Sequence, residues 1–236
     1  MKKLALFLVF CMLAGTVHAV DVTKAEAATQ IKSLPATIST PGNYYLAPNI
    51  KQLFPAATVP AITITASNVV LDLYGTNIVA FNGILIGVND AYTNFVVIQN
   101  GSITPPSIAL GSGPFTAIQL NHAQGCTIDA VNILPGIGSP AGGITDNDGQ
   151  GNVIKKCFLY ALGRPLILAD SYDTIVDNVI ELYGVSGITS TVRNVFRNNT
   201  FNGNGVAVIA FAANDQYIGN AFGENTHTGG RDIAGQ

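Results

Sequence analysis

A short hydrophobic pattern recurs along the chain from residue 96 onward. Two apolar residues are followed by a polar pair, and another apolar residue comes about five positions on. Each copy can be anchored on its second apolar residue, and the anchors are Ile98, Ile128, Ile154, Val176, Phe196 and Ile218. Self-similarity at intervals of 20 to 30 residues is typical of a protein built from stacked repeats.

Aligning the anchors predicts columns of side chains that run along the stack. The position after the anchor alternates in sign over Asp129, Lys155, Asp177 and Arg197, which suits a ladder on neighbouring strands about 4.8 Å apart. The next position holds Asn in four of its six copies, which suits a bend in the backbone. A second apolar column, expected to face the core, consists of Ile84, Ile118, Ile144, Ile167, Ile188 and Val208.

The links between these strands indicate the fold class. Parallel strands in a doubly wound sheet need crossovers of a dozen or more residues, usually helical, and the links here are too short and too rich in Gly and Asn. The sequence therefore predicts an all-β protein, a parallel β-helix of about seven coils over residues 37–225. Thr23-Lys24-Ala25-Glu26 fits a capping box, so we expect a short helix over residues 23–33, within an amino-terminal cap at 20–36. Residues 226–236 are expected to form a loose tail.

The first 19 residues have the features of a secretory signal peptide. Lys2 and Lys3 precede an apolar run from Leu4 to Ala14, and Ala19 supplies the small residue that signal peptidase requires. We therefore expect cleavage after Ala19 and a secreted or periplasmic protein. No later stretch reaches 18 uninterrupted apolar residues, so no membrane association is expected after cleavage.

Composition excludes several classes of protein. Apolar residues make up 48% of the 236 residues and charged residues only 11%, which argues against both intrinsic disorder and a helical bundle. The net charge of −3 leaves no basic surface for nucleic acid. The oligomeric state is left open. The register places Cys126 and Cys157 at different points along the repeat, so two buried free thiols are favoured over a disulfide.

Several segments resemble the right-handed parallel β-helix proteins of the pectin-lyase-like group. They are PGNYYL at 41–46, AITITASNVVLDLYGTNI at 61–78, FVVIQNGSI at 95–103 and the repeated anchor segments. The resemblance covers about residues 34 to 225 and implies a single-stranded, right-handed coil. The group includes lyases, hydrolases and epimerases acting on acidic polysaccharides, as well as secreted members without known activity, so function must be argued from a site.

One cluster of polar residues is a candidate site. The second apolar column places His122 beside Asp148, with Asp146 and Asp170 nearby. These residues could form a catalytic site, in which His122 acts as a base, and Asp146 with Asp148 could bind calcium. They could equally be turn residues, because Asp and Asn favour turns. No cofactor other than calcium is expected.

Three further residues bear on binding. Tyr160 and Tyr183 fall at nearly the same position in the repeat, so they could form either a sugar platform or a packed pair in the core. Asp72 is expected to have a structural hydrogen-bonding role. Two functions follow as expectations: a secreted, non-catalytic module that contacts polysaccharide or serves a surface structure, and alternatively a small polysaccharide lyase or glycoside hydrolase acting on acidic polysaccharide.

Overall fold

The computed structural model describes residues 28–48, 50, 59–87, 92–106, 115–134, 141–162, 167–183, 186–203, 206–210, 214–223 and 233–234. Every regular element within these ranges is a β-strand. The predicted signal peptide at 1–19 and most of the predicted tail at 226–236 lie outside the described residues. The prediction of an all-β protein is confirmed.

The strands are short and are numbered here in chain order. The first thirteen are β1 Thr29–Ile31, β2 Ala36–Ile38, β3 Gly42–Leu46, β4 Pro60–Ile64, β5 Val69–Asp72, β6 Asn77–Val79, β7 Asn82–Ile86, β8 Thr93–Asn94, β9 Val96–Thr104, β10 Phe115–Asn121, β11 Ala123–Gln124, β12 Thr127–Ile133 and β13 Ala141–Asn147. The others are β14 Val153–Lys155, β15 Phe158–Leu162, β16 Ile167–Ser171, β17 Thr174–Val176, β18 Val179–Tyr183, β19 Ser186–Val192, β20 Val195–Arg197, β21 Thr200–Asn202, β22 Val206–Ala210, β23 Gln216–Ile218, β24 Ala221–Phe222 and β25 Ile233–Ala234.

The strands pair in parallel in two long series. One sheet runs β1-β3-β5-β9-β12-β14-β17-β20-β23, and the other runs β2-β4-β7-β10-β13-β16-β19-β22-β25. The chain moves from one sheet to the other and back, and we call each such repeat a rung. Each series contains nine described strands, more than the seven coils expected. This solenoid-like, all-parallel arrangement is compatible with a parallel β-helix.

The second apolar column is confirmed by the register of the second sheet. Ile84 pairs with Ile118, Ile118 with Ile144, and Ile144 with Ile167. The column continues through Ile188 to Val208. The side chains of Ile84, Ile118 and Ile144 are buried, as one continuous core along the stack requires.

The first column needs a correction at two anchors. Ile98, Ile128 and Ile154 pair as predicted, but Ile154 then pairs with Ile175 rather than Val176. Likewise, Phe196 pairs with Tyr217 rather than Ile218. Adjacent apolar residues left both choices open in the sequence, and a shift of one residue exchanges the inner and outer faces of a strand.

The corrected register changes the charge ladder and the bend. Lys155 and Asp129 form an ion pair at 3.1 Å, as the ladder predicted. Asp177, however, lies outside the ladder, since its φ of 57° places it in the bend. Asn178 and Asn220 follow the bend instead of forming it, and both accept backbone hydrogen bonds from the preceding rung.

The predicted helix over residues 23–33 is wrong over residues 28–33, the part of it that the structure describes. Thr29–Ile31 is a strand that pairs in parallel with Tyr44–Leu46, and Ile31 is buried in the core. An open sheet edge offers backbone partners that outweigh the weak helical pattern of this segment. Residues 23–27 lie outside the described residues.

Two columns of polar side chains run through the carboxy-terminal rungs. In the first ladder (Asn152, Asp173, Asn194 and Asp215), each side-chain oxygen accepts the backbone N–H of the residue one rung earlier, at 2.7–2.9 Å. In the second ladder (Asn178, Asn199 and Asn220), the same bond measures 2.8–3.0 Å. These bonds satisfy backbone groups that burial would otherwise leave without a partner.

A buried cysteine stands at the start of each ladder. Cys126 donates its backbone N–H to Asn152, and Cys157 donates to Asn178. Both thiols are free, which confirms the prediction that they do not pair. Burial raises the pKa of Cys126 to about 11 and that of Cys157 to about 12, so both side chains behave as small apolar groups.

Candidate functional site

One corner of the stack is formed by residues that all have left-handed backbone. Phe95, Gly125, Gly151, Tyr172 and Arg193 have φ between 56° and 63°. Backbone hydrogen bonds join this corner to the next rung, from Phe95 N to Gln124 O at 3.0 Å and from Gly151 N to Ser171 O at 3.1 Å. The five residues therefore form one outward-facing column, in which neighbours are about 4.8 Å apart.

Two aromatic side chains project from this column with only glycine between them. The exposed fractions of Phe95 and Tyr172 are 63% and 52%. The Phe95 ring lies so close to Gly125 that a Cβ there would come within 3.0 Å of its Cε1 atom. A Cβ on Gly151 would meet nothing within 4 Å, so the surface beside Tyr172 is open.

Arg193 continues the column beyond Tyr172. Its guanidinium carbon lies 5.6 Å from the centre of the Tyr172 ring, a cation–π contact, and its Nη1 atom donates to the tyrosine hydroxyl. These contacts hold the ring and the cation together at the surface. The column thus offers flat apolar faces, one hydroxyl and one positive charge.

His122 and Asp148 lie beside this column. Asn121 pairs with Asn147, and the residue after each has left-handed backbone, so His122 and Asp148 are neighbours on adjacent rungs, as predicted. The exposed Tyr92 ring packs edge-on against His122, with their centres 5.7 Å apart. We call Tyr92, Phe95, His122, Tyr172 and Arg193 the aromatic corner.

Asp146 does not share this surface. It is 6% exposed, and its Oδ2 atom accepts a hydrogen bond of 2.6 Å from Asn152 Nδ2 inside the stack. Asp148, two residues further on, is exposed. Because one carboxyl group is buried and the other faces solvent, they do not converge as calcium ligands. No group of three or more acidic, His or Cys side chains in the described part of the chain is arranged to hold a metal ion.

Asp146 instead forms a buried carboxyl pair with Asp173. Burial and the neighbouring Asp173 charge raise the pKa of Asp146 to about 8. Burial raises the pKa of Asp173 to about 6, although its oxygens accept backbone bonds from Asn152 and Asp170. Both carboxyl groups are therefore harder to ionise than an ordinary aspartate.

Asp170, the fourth predicted catalytic residue, is half-buried. Its Oδ1 atom accepts a hydrogen bond from Ser171 Oγ at 3.4 Å, and its backbone carbonyl accepts one from Asn194 Nδ2 at 2.8 Å. Asp170 lies two residues before Tyr172, and hence close to the aromatic corner. The structure therefore brings His122 and Asp148 together at the surface and separates Asp146 from them.

Tyr160 and Tyr183 are not cross-strand neighbours. Tyr160 pairs with Glu181, whereas Tyr183 pairs with Leu162, so the two tyrosines are two positions apart along their strands. Tyr160 is half-buried, and the side chain of Tyr183 lies outside the described part of the structure. The register therefore does not place these two tyrosines directly opposite each other.

Sequence reasoning missed Tyr92, Phe95, Tyr172 and Arg193. A signal was present, because Phe95, Tyr172 and Arg193 each come three residues before the anchor of their rung in the corrected register. Anchoring the fourth copy on Val176 displaced Tyr172 by one position and hid this correspondence.

Comparisons with family models, curated proteins and solved structures found no match to this chain. No helix that could cross a bilayer occurs in the residues that the structure describes.

Proposed function

We propose that this protein is a secreted, non-catalytic β-helix module that contacts polysaccharide through the aromatic corner. The proposal takes the coil as right-handed and pectin-lyase-like, on the sequence resemblance, and takes residues 1–19 as a cleaved signal peptide. A polysaccharide of the surroundings is the kind of partner that an exported protein of this shape would meet.

The exposed aromatic faces of the corner carry this proposal. The apolar face of a pyranose ring packs on an aromatic ring, while its hydroxyl groups need polar partners at the edge. Phe95 and Tyr172 lie three rungs apart, about 14 Å along the stack, with glycine between them. A glycan chain lying along the corner could contact both rings, and Arg193 and Asp148 stand beside its path.

Binding to immobilised polymers tests the proposal. Pectate, alginate and hyaluronan beads, each with and without calcium, would be incubated with the purified protein, and the fraction retained would be measured. We expect retention on at least one polymer. Phe95→Asn and Tyr172→Asn should each weaken it about tenfold, because they remove one stacking ring. Asn is chosen because it tolerates left-handed backbone.

Two controls make the result specific. Ile218→Ala removes a half-exposed apolar side chain far along the stack and should leave retention unchanged. Tyr160→Ala tests the platform that the sequence suggested, and it should have no effect if the corner is the binding surface. Absence of retention on all three polymers, or equal retention by the Phe95 and Tyr172 variants, would contradict the proposal.

The alternative is a small polysaccharide lyase or glycoside hydrolase, and one observation favours it. His122 and Asp148 are surface neighbours on adjacent rungs, so a base and a carboxylate could reach the same sugar. The same polymers would be assayed for unsaturated ends by ultraviolet absorbance and for new reducing ends. Turnover that disappears in folded His122→Ala and Asp148→Asn variants would establish an enzyme and overturn the non-catalytic proposal.

A further inference from the structure

A second surface with sugar-binding chemistry lies at the other end of the first-sheet strands. The aromatic corner precedes these strands, whereas Tyr74 follows β5 on the opposite side. Around it is a cleft of about 480 Å³, lined among others by Asn43, Tyr45, Asp72 and Gln99. A volume of this size falls within the range of small-molecule binding sites.

Two tyrosine rings line this cleft and contact each other. The centres of the Tyr45 and Tyr74 rings are 5.9 Å apart, and their planes are inclined at 56°. The exposed fraction of Tyr74 is 63%, so one face of its ring is free to meet a ligand. This separation and tilt are those of two aromatic rings in contact, so Tyr45 supports the Tyr74 ring while the outer face of Tyr74 stays exposed.

Tyr74 is held in a conformation that a bulky residue rarely adopts. Its φ is 53°, in the left-handed region. Asp72 supports it, since Tyr74 N donates to Asp72 Oδ1 at 2.7 Å, and the following residue, Gly75, donates to Asn100 O at 2.7 Å. Left-handed backbone recurs at other corners of the stack, so the exposure of a large aromatic ring here is what points to a use of the ring itself.

The Asp72 carboxylate lines the same cleft and is held in place by hydrogen bonds. Its Oδ2 atom accepts hydrogen bonds from Gln99 Nε2 at 3.0 Å and from Asn100 Nδ2 at 3.1 Å. These bonds confirm the structural role expected for Asp72, yet the group is only half-buried and lines the cleft. Oδ2 uses both of its lone pairs in these bonds, whereas Oδ1 accepts only Tyr74 N and has one further lone pair that can accept a sugar hydroxyl.

The charge of the cleft selects among sugars. Among the described residues that line it, Asp72 is the one carboxylate and neither Lys nor Arg is present. A uronate would bring a second negative charge close to Asp72 without a cation between them, which is unfavourable. A neutral pyranose would place its apolar face on a tyrosine and its hydroxyls toward Asp72 and Gln99.

We propose that the cleft beside Tyr45 and Tyr74 binds one neutral sugar unit of a glycan on the exposed face of Tyr74, with Asp72 Oδ1 accepting one of its hydroxyl groups. The site is distinct from the aromatic corner, whose arginine favours acidic chains. The protein would thus contact two kinds of glycan, or two parts of a mixed one, at opposite ends of the same strands.

Calorimetric titration with oligosaccharides tests the cleft. The purified protein would be titrated with glucose, mannose, xylose and galacturonate hexamers. We expect at least one neutral hexamer to bind, and the galacturonate hexamer to bind about tenfold more weakly than the best neutral one. Tyr74→Asn removes the ring at a left-handed position that Asn tolerates, and it should weaken neutral binding about tenfold. Tyr45→Leu, on a strand, is the second variant, should Tyr74→Asn fail to fold.

Two matched substitutions test the role of charge. Asp72→Asn keeps an acceptor for Tyr74 N but removes the negative charge. It should therefore reduce the difference in affinity between the galacturonate hexamer and the neutral hexamers. Asp129→Asn removes a carboxylate from the same sheet face, outside the cleft. It should change the affinity for neither the galacturonate hexamer nor the neutral hexamers. Absence of binding by all neutral hexamers, unchanged binding in both tyrosine variants, or galacturonate binding as tight as neutral binding would overturn the proposal.

Separate variants distinguish a failure of the cleft site from a failure of the aromatic corner. Tyr172→Asn should leave neutral hexamer binding unchanged, and Tyr74→Asn should leave polymer retention at the corner unchanged. Loss of hexamer binding in the Tyr172 variant alone would assign the sugar to the corner and refute the cleft site.

Discussion

The amino-terminal and carboxy-terminal rungs turn the same corners with different side chains. At the corner position that follows the left-handed column, the early rungs place Val69 and Val96, whereas later rungs place the Asn and Asp residues of the first ladder. At the other corner, Gly101 and Val131 give way to the second ladder. In both columns a buried cysteine, Cys126 or Cys157, stands between the apolar and polar parts.

The difference goes with the length of the rungs. Within the ladders, bonded residues are 21 positions apart at every step from Asn152 onward. In the early rungs the paired residues of the first sheet are 26 to 30 positions apart. An asparagine of the second ladder accepts a backbone N–H and donates to a backbone carbonyl of the preceding rung, so it satisfies two buried backbone groups at the corner of a short rung. Early rungs rely on apolar packing and carry longer connections.

Removing one ladder amide should have the largest effect on stability. Asn199 accepts from Asn178 N at 3.0 Å and donates to Ile175 O at 2.8 Å, and Asn199→Leu abolishes both bonds. Each buried group left without a partner costs about 1–3 kcal/mol, so we expect a loss of about 3 kcal/mol or more in the free energy of unfolding. Denaturant titration measures it. Asn147→Ala, at an exposed Asn, should cost about 0.5 kcal/mol or less, and an equal loss in both variants would refute a special role for the ladder.

The boundary between the two regions predicts a difference between two substitutions to Asn. Cys157→Asn extends the second ladder by one rung, since Cys157 already bonds to Asn178, and should change the unfolding free energy by about 1 kcal/mol or less. Val69→Asn buries an amide beside the apolar Val96 and should cost about 2 kcal/mol or more. Denaturant titration of both variants makes the comparison. If Val69→Asn costs no more than Cys157→Asn, the apolar and polar corners are interchangeable.

The carboxyl pair at the junction predicts a smaller, pH-dependent effect. In the unfolded chain Asp146 has its ordinary pKa of 3.8, whereas burial and Asp173 raise it to about 8 in the folded state. The unfolded state therefore loses its proton first as pH rises. The contribution of Asp146 to the free energy of unfolding should be greatest below about pH 4. It should fall between about pH 4 and 8.

Thermal unfolding at pH 5 and pH 8 measures this effect. Asp146→Asn cannot ionise and still accepts from Asn152, so the decrease in melting temperature between the two pH values should be smaller in this variant. The exposed Asp148→Asn is the matched control and should behave as the unchanged protein does. A decrease of the same size in Asp146→Asn would show that the pair does not govern the pH dependence.

Hydrophobic periodicity was sufficient to predict an all-β, stacked, parallel protein, and the Ile84 to Val208 column was correct in every pair. It failed where two apolar residues are adjacent, at Ile175-Val176 and Tyr217-Ile218, because either can point inward in a strand of period two. The capping helix failed over residues 29–31 for a different reason, since a local pattern cannot reveal a sheet edge with which the segment pairs.

For the candidate sites, the sequence by itself determined that His122 and Asp148 would be neighbours, because an aligned column carries the residues after it into register. Only the tertiary structure decided that Asp146 is buried against Asp173, that Phe95 and Tyr172 share an exposed corner, and that Tyr45 contacts Tyr74 at the edge of a cleft. The physical reason is that composition and period specify which residues belong to one rung. The direction of each side chain depends on where the left-handed corners fall, and those are set by the hydrogen bonds between rungs that are 21 or more residues apart.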